Sequence, residues 1–138
     1  MKKKLLQFVT LICLCVMVLP FSSCKNDEPD TPKSNLTGTW ENFQSSASGS
    51  QTYSLVLNSN NTGVITQTIT TRAELTIVGK ETFNWTTSED ANGNRWLDII
   101  RTGGDDYILT DEDNPSVSYI YVVAGNTLSF GGLVFNRK

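Results

Sequence analysis

Val117-Ser118-Tyr119-Ile120-Tyr121-Val122-Val123-Ala124-Gly125-Asn126-Thr127-Leu128-Ser129-Phe130-Gly131-Gly132-Leu133-Val134-Phe135 is the stretch whose pattern decides the fold. Val117, Tyr119, Tyr121 and Val123 alternate with their neighbours, as do Leu128 with Phe130 and Leu133 with Phe135. Alternate residues of an extended chain point to the same side, so each row is the buried face of a strand. Gly125-Asn126 and Gly131-Gly132 separate the rows, and both pairs suit the positive φ of tight hairpin turns. Three strands joined by such short turns form an antiparallel meander.

The same grammar extends back to Leu36. Tyr53, Leu55 and Leu57 share a face, and Leu75 with Ile77, then Phe83 with Trp85, make the next rows; Leu97 with Ile99 and Tyr107 with Leu109 follow. Punctuation is expected at Ser48-Gly49-Ser50, Asn58-Ser59-Asn60-Asn61, Gly79-Lys80, Asn92-Gly93, Gly103-Gly104 and Asn114-Pro115. No dozen-residue window keeps an apolar period of 3.6, so no helix is placed. About eight to nine short strands must dispose of their edges, and closing an up-and-down β-barrel does so. A two-sheet sandwich is the alternative, but the succession of tight hairpins favours the meander over Greek-key crossings. The pattern defines one all-β domain at residues 36–138, within the size expected of a single domain.

Ahead of it, Lys2, Lys3 and Lys4 precede an almost unbroken apolar run from Leu5 to Leu19, and Pro20-Phe21-Ser22-Ser23 leads to Cys24. A cationic start, an apolar run too short for a comfortable bilayer span and a small-residue exit are the parts of a secretory signal peptide, here residues 1–23. Phe21-Ser22-Ser23-Cys24 resembles the lipobox of bacterial lipoproteins, which implies cleavage before Cys24 and acylation of its thiol. Cys13 and Cys15 leave with the leader, so no internal disulfide is available to the exported chain. Acyl chains at Cys24, palmitate among them, would anchor it stably where one chain holds only marginally. Residues 24–35 contain Pro29 and Pro32 and no large apolar residue, and read as a flexible tether. The acidic Asn26-Asp27-Glu28 resembles signals that send lipoproteins of Gram-negative bacteria to the outer surface; a tether rich in Asp and Pro for solubility explains it equally. The expected location is the cell envelope at the outer membrane.

Composition narrows the chemistry. The chain has 11 Lys+Arg against 14 Asp+Glu; loss of the three leader lysines leaves 8 against 14, a net charge of −6. Nucleic acid is therefore not an expected partner. Histidine is absent, which removes the commonest general base, the Ser-His-Asp and Cys-His arrangements and the usual ligands of zinc, copper and haem. No catalytic residue, metal or cofactor is expected. Asp90-Ala91-Asn92-Gly93-Asn94 and Asp111-Glu112-Asp113-Asn114 crowd oxygens suited to calcium, but neither has the twelve-residue loop pattern and solvated turns account for both. Asp105 and Asp106 are adjacent, and on a strand they would face opposite ways rather than form a dyad.

Thr37-Gly38-Thr39-Trp40 at the start of the domain and Phe135-Asn136-Arg137 at its end resemble the lipocalin pattern of calycin-type barrels. In that pattern a Gly-x-Trp on the first strand closes one end of the barrel and an arginine of the last strand covers the indole. The resemblance extends over residues 36–138 and is nearest to the short lipocalin-like domains of bacterial lipoproteins, in which Phe83-Asn84-Trp85 and the ending Leu133-Val134-Phe135-Asn136-Arg137 are familiar. It implies barrel closure by Gly38, Trp40 and Arg137. The chain is shorter than a ligand-carrying lipocalin, which implies a smaller cup.

For ligand-lining positions the candidates are Tyr53, Phe83, Trp85, Tyr107, Tyr119 and Tyr121, with core packing as the alternative role for each. Tyrosine hydroxyls on an apolar wall suit an amphipathic molecule. The functional expectation is an exported, membrane-anchored, non-enzymatic barrel binding a small apolar or amphipathic molecule. The alternative is an accessory protein at the cell surface that meets a protein or glycan.

Overall fold

The computed structural model describes residues 35–138. The signal peptide, the lipidation position Cys24 and all of the tether but Asn35 lie outside the described residues. Nine strands follow in order: β1 (Gly38–Ser46), β2 (Gly49–Leu57), β3 (Thr62–Thr71), β4 (Thr76–Glu89), β5 (Arg95–Gly104), β6 (Ser116–Ile120), β7 (Val122–Ala124), β8 (Thr127–Phe130) and β9 (Leu133–Arg137). All pairings are antiparallel, and the sheet order β6-β5-β4-β3-β2-β1-β9-β8-β7 sets the first strand beside the last. The result is an up-and-down, nearly closed barrel.

Its remaining seam falls between β6 and β7, which are separated only by Tyr121. The N-H of Tyr121 donates to the Arg95 carbonyl at 3.0 Å, prolonging the β5–β6 ladder, while Val122 and Val123 pair with Ser129 and Leu128 of β8. Residues 116–124 thus make one traverse whose first part is held by β5 and whose second part is held by β8. That stagger closes the wall without a full ladder on either side, as the tilt of a barrel's strands requires.

Inside, the alternating residues form a continuous core. Trp40, Leu55, Leu57, Ile65, Phe83, Trp85, Leu97, Ile99, Leu128 and Phe135 are all buried, and Leu36 packs beneath them from the entering chain. Phe130 stacks on Phe135 with centroids 5.3 Å apart, a separation typical of favourable aromatic pairs.

Three expectations are corrected. Gly79-Lys80 is not a turn but lies within β4, the longest strand; Gly79 is there because a Cβ would fall 2.2 Å from the Asp106 carboxylate, and the chain reverses instead at residues 72–75. Leu75 and Ile77 are accordingly exposed. The Tyr107–Leu109 row is not a strand, because residues 105–115 form a loop whose Ile108 and Leu109 N-H groups go to a side chain, Glu81, instead of a neighbouring strand.

Candidate functional site

The inward rows change character along the barrel. Successive pairings set Trp40 beside Leu55, Leu55 beside Ile65 and Ile65 beside Glu81; two residues further up, Asn42 faces Tyr53, Tyr53 faces Gln67 and Gln67 faces Gly79. Another two residues on, the row is Gln44, Gln51, Ile69 and Ile77. One end of the barrel is thus apolar and the other carries amides and a phenol.

At the apolar end Trp40 is fully buried, and its indole N-H donates to the Leu36 carbonyl at 2.8 Å. Arg137, its direct partner in the β1–β9 register, lies with its guanidinium carbon 4.1 Å from the centre of the indole. The same guanidinium donates to the carbonyls of Thr37 (3.0 Å) and Asn35 (2.5 Å). One cation therefore covers a ring face and ties down the chain entering the barrel. Gly38 makes room for it: a Cβ would meet Arg137 Nη1 at 3.0 Å, and its φ of 140° is one that side-chain-bearing residues avoid. Trp40 and Arg137 plug this end.

Glu81 is the buried carboxylate, at 0% exposure. One oxygen accepts the N-H groups of Ile108 and Leu109, both at 2.7 Å, and the other accepts the Thr110 hydroxyl at 2.5 Å. Tyr119 donates its hydroxyl to the Leu109 carbonyl at 2.5 Å, and burial, then the Glu81 charge, then Asp111 push its pKa up. Every polar contact of Glu81 is spent on the 105–115 loop. That is a strap's geometry, with no position for a reacting group, and no sequence pattern singles this glutamate out, because its partners are backbone groups far along the chain.

The polar end is open. Around residues 44–46, 48–51 and 69–71 there is a cavity of about 300 Å³ walled by the β1–β2 hairpin and the end of β3. The wall is made of Ser, Thr and Gln with Gly49 and a single aliphatic residue, Ile69. Gln44 donates to Asn42 Oδ1 at 3.0 Å, Gln51 and Gln67 both donate to the Tyr53 hydroxyl, and Asn42 reaches across to the Val134 carbonyl at 2.7 Å. These bonds fix the amides on rigid strands. A polar residue facing inward at the end of a strand passes in sequence for a strand's solvent face, which is why Gln44, Gln51 and Thr71 escape a search for apolar rows.

None of the six aromatic candidates is among the residues lining this cavity. Phe83 and Trp85 belong to the packed core, Trp85 also donating its indole N-H to the Thr62 carbonyl at 3.0 Å. Tyr121 is 2% exposed, with its hydroxyl unpartnered. Tyr119 is committed to the loop, and Tyr107 stands partly exposed beneath the Arg101 guanidinium, 4.1 Å from its ring centre. Tyr53 alone adjoins the cavity, through Gln51.

Both acidic segments are turns. Asp90 Oδ1 accepts from the backbone of Asn92 and Asn94, and Oδ2 from the Asn94 amide and the Trp96 indole; the Asn94 bonds lead in lowering its pKa to about 2. Asp111 accepts the Asn114 N-H at 2.7 Å. Asp105 and Asp106 lie in the loop, where Asp105 accepts the Lys80 N-H and Asp106 that of Tyr107. Among the described residues no group of three or more metal-ligating side chains gathers.

Comparison with protein-family models, with curated proteins and with solved structures yields no match to this chain.

Proposed function

We propose that this chain is an exported, lipid-anchored, lipocalin-like binding protein without catalytic activity, which holds a small amphipathic molecule at the open end of its barrel. Cys24 is the anchoring residue, and the domain stands off the outer membrane on the tether. The observation that carries the reading is the polarity of the barrel. One end is plugged by Trp40 and Arg137, the middle is occupied by apolar side chains, and the cavity of about 300 Å³ sits at the mouth. Ligand pockets begin at about that volume. The wall offers amides and hydroxyls together with the aliphatic side chain of Ile69, which suits a molecule with both polar and apolar groups. The lipocalin-like assignment is supported by the pairing of β1 with β9 and by the indole–guanidinium stack between them.

Titration calorimetry of the full-length protein in lipid nanodiscs with hexyl glucoside, a short neutral amphiphile, tests the reading. One saturable site, absent from empty nanodiscs and closed by Ser48→Trp at the cavity wall, is expected. Heat indistinguishable from that of empty nanodiscs would overturn it.

A further inference from the structure

We propose that the ligand group recognised in the mouth cavity is a neutral sugar ring, which rests on the reading that the mouth is the binding site. No ionisable side chain lines the cavity, so a phosphate, carboxylate or ammonium entering it would give up water and gain no countercharge. Arg72, next to Thr71 in the chain, is exposed and outside the lining.

Gln44 and Gln51 each spend one amide N-H on a neighbour, which leaves each an amide oxygen and a second N-H without a protein partner. A ligand that bonds to these groups replaces the water they would otherwise hold. Donors and acceptors closely interleaved on one wall match a molecule whose every hydroxyl both donates and accepts. Ions do not have that property, and neither do alkyl chains.

Ile69 is the one aliphatic side chain in the lining, a surface for the C–H face of a ring. Phe43 to Ser48 of the β1–β2 hairpin are exposed, so a ring at the end of a longer glycan can lie against this wall while the remainder stays in solvent.

Saturation-transfer NMR on the full-length protein in nanodiscs tests this with methyl glucoside, N-acetylglucosamine and lactose as neutral probes and glucuronate as the charged comparator. At least one neutral sugar is expected to bind saturably and glucuronate at least about tenfold more weakly, the discrimination that one unpaired charge or lost hydrogen bond imposes. Gln51→Leu, at the cavity wall, leaves Tyr53 its bond from Gln67; it should keep the fold and weaken that sugar severalfold. Equal binding of glucuronate, unchanged affinity in folded Gln51→Leu, or no binding by any neutral probe overturns the inference. Hexyl glucoside still binding when no free sugar does would defeat the sugar assignment while leaving the mouth as the site; loss of both would defeat the mouth site as well.

Discussion

Trp40 and Arg137 come from opposite ends of the domain sequence, and their contact does two things at once. The indole fills the barrel's closed end, and the guanidinium, 4.1 Å over it, also holds the Asn35 and Thr37 carbonyls. Trp40→Ala should cost about 3–5 kcal/mol in denaturant unfolding, the range for emptying a large core aromatic. Arg137→Ala should cost less, because part of its side chain remains accessible. The double variant should lose less than the sum of the two, since both changes remove one contact; strict additivity would mean that the stack contributes nothing of its own. Glu81 makes the other residue-scale case. Glu81→Gln keeps the volume and can leave its oxygen on the Ile108 and Leu109 N-H groups, but its NH2 then stands where the Thr110 hydroxyl had an acceptor, and loss of the charge weakens the remaining bonds, a cost of about 1–3 kcal/mol. Amide exchange at Ile108 and Leu109 should accelerate well before that of the strands, and exchange unchanged at those two amides would refute the strap.

At the scale of elements, what could be read in the chain follows burial. The segments forming β2, β5, β8 and β9 bury alternate large apolar residues, and period two is visible there without help. β3 escapes that reading: its inward positions are Gly63, Ile65, Gln67 and Ile69, of which Ile65 is the one large residue fully buried. A strand whose inner face runs from core to open mouth has no alternation of hydrophobicity to show. Gly79 misled for a related reason, since glycine marks either a turn or a close approach and only the position of Asp106 decides between them. The 105–115 loop reads as strand because Leu109 is truly buried, but it is a side-chain carboxylate, a partner no local pattern reveals, that satisfies its backbone. The cavity was illegible in the same way as β3: its wall is Ser, Thr and Gln with Gly49 and one aliphatic side chain, Ile69, so no row of apolar residues marks it.

At the scale of the whole molecule, near-closure leaves the barrel with two unlike ends, and the proposed placement of a ligand rests on that asymmetry. The plug ties down the chain at Asn35 and Thr37; the mouth is the end with groups to spare. If the chain is held to the membrane by acylated Cys24, Cys24→Ser should move the protein out of the membrane fraction or leave the leader uncleaved, as read by fractionation and mass spectrometry. Normal processing with unchanged membrane retention would contradict the anchor. The claim most central to the account is that ligand meets the mouth and not the core, and chemical-shift mapping of the isotope-labelled protein in nanodiscs during a hexyl glucoside titration addresses it directly. The predicted result is saturable movement of the amides of residues 44–51 and 69–71 with the Trp40 and Trp85 indole signals still. Movement of those two indoles with a silent mouth would contradict it.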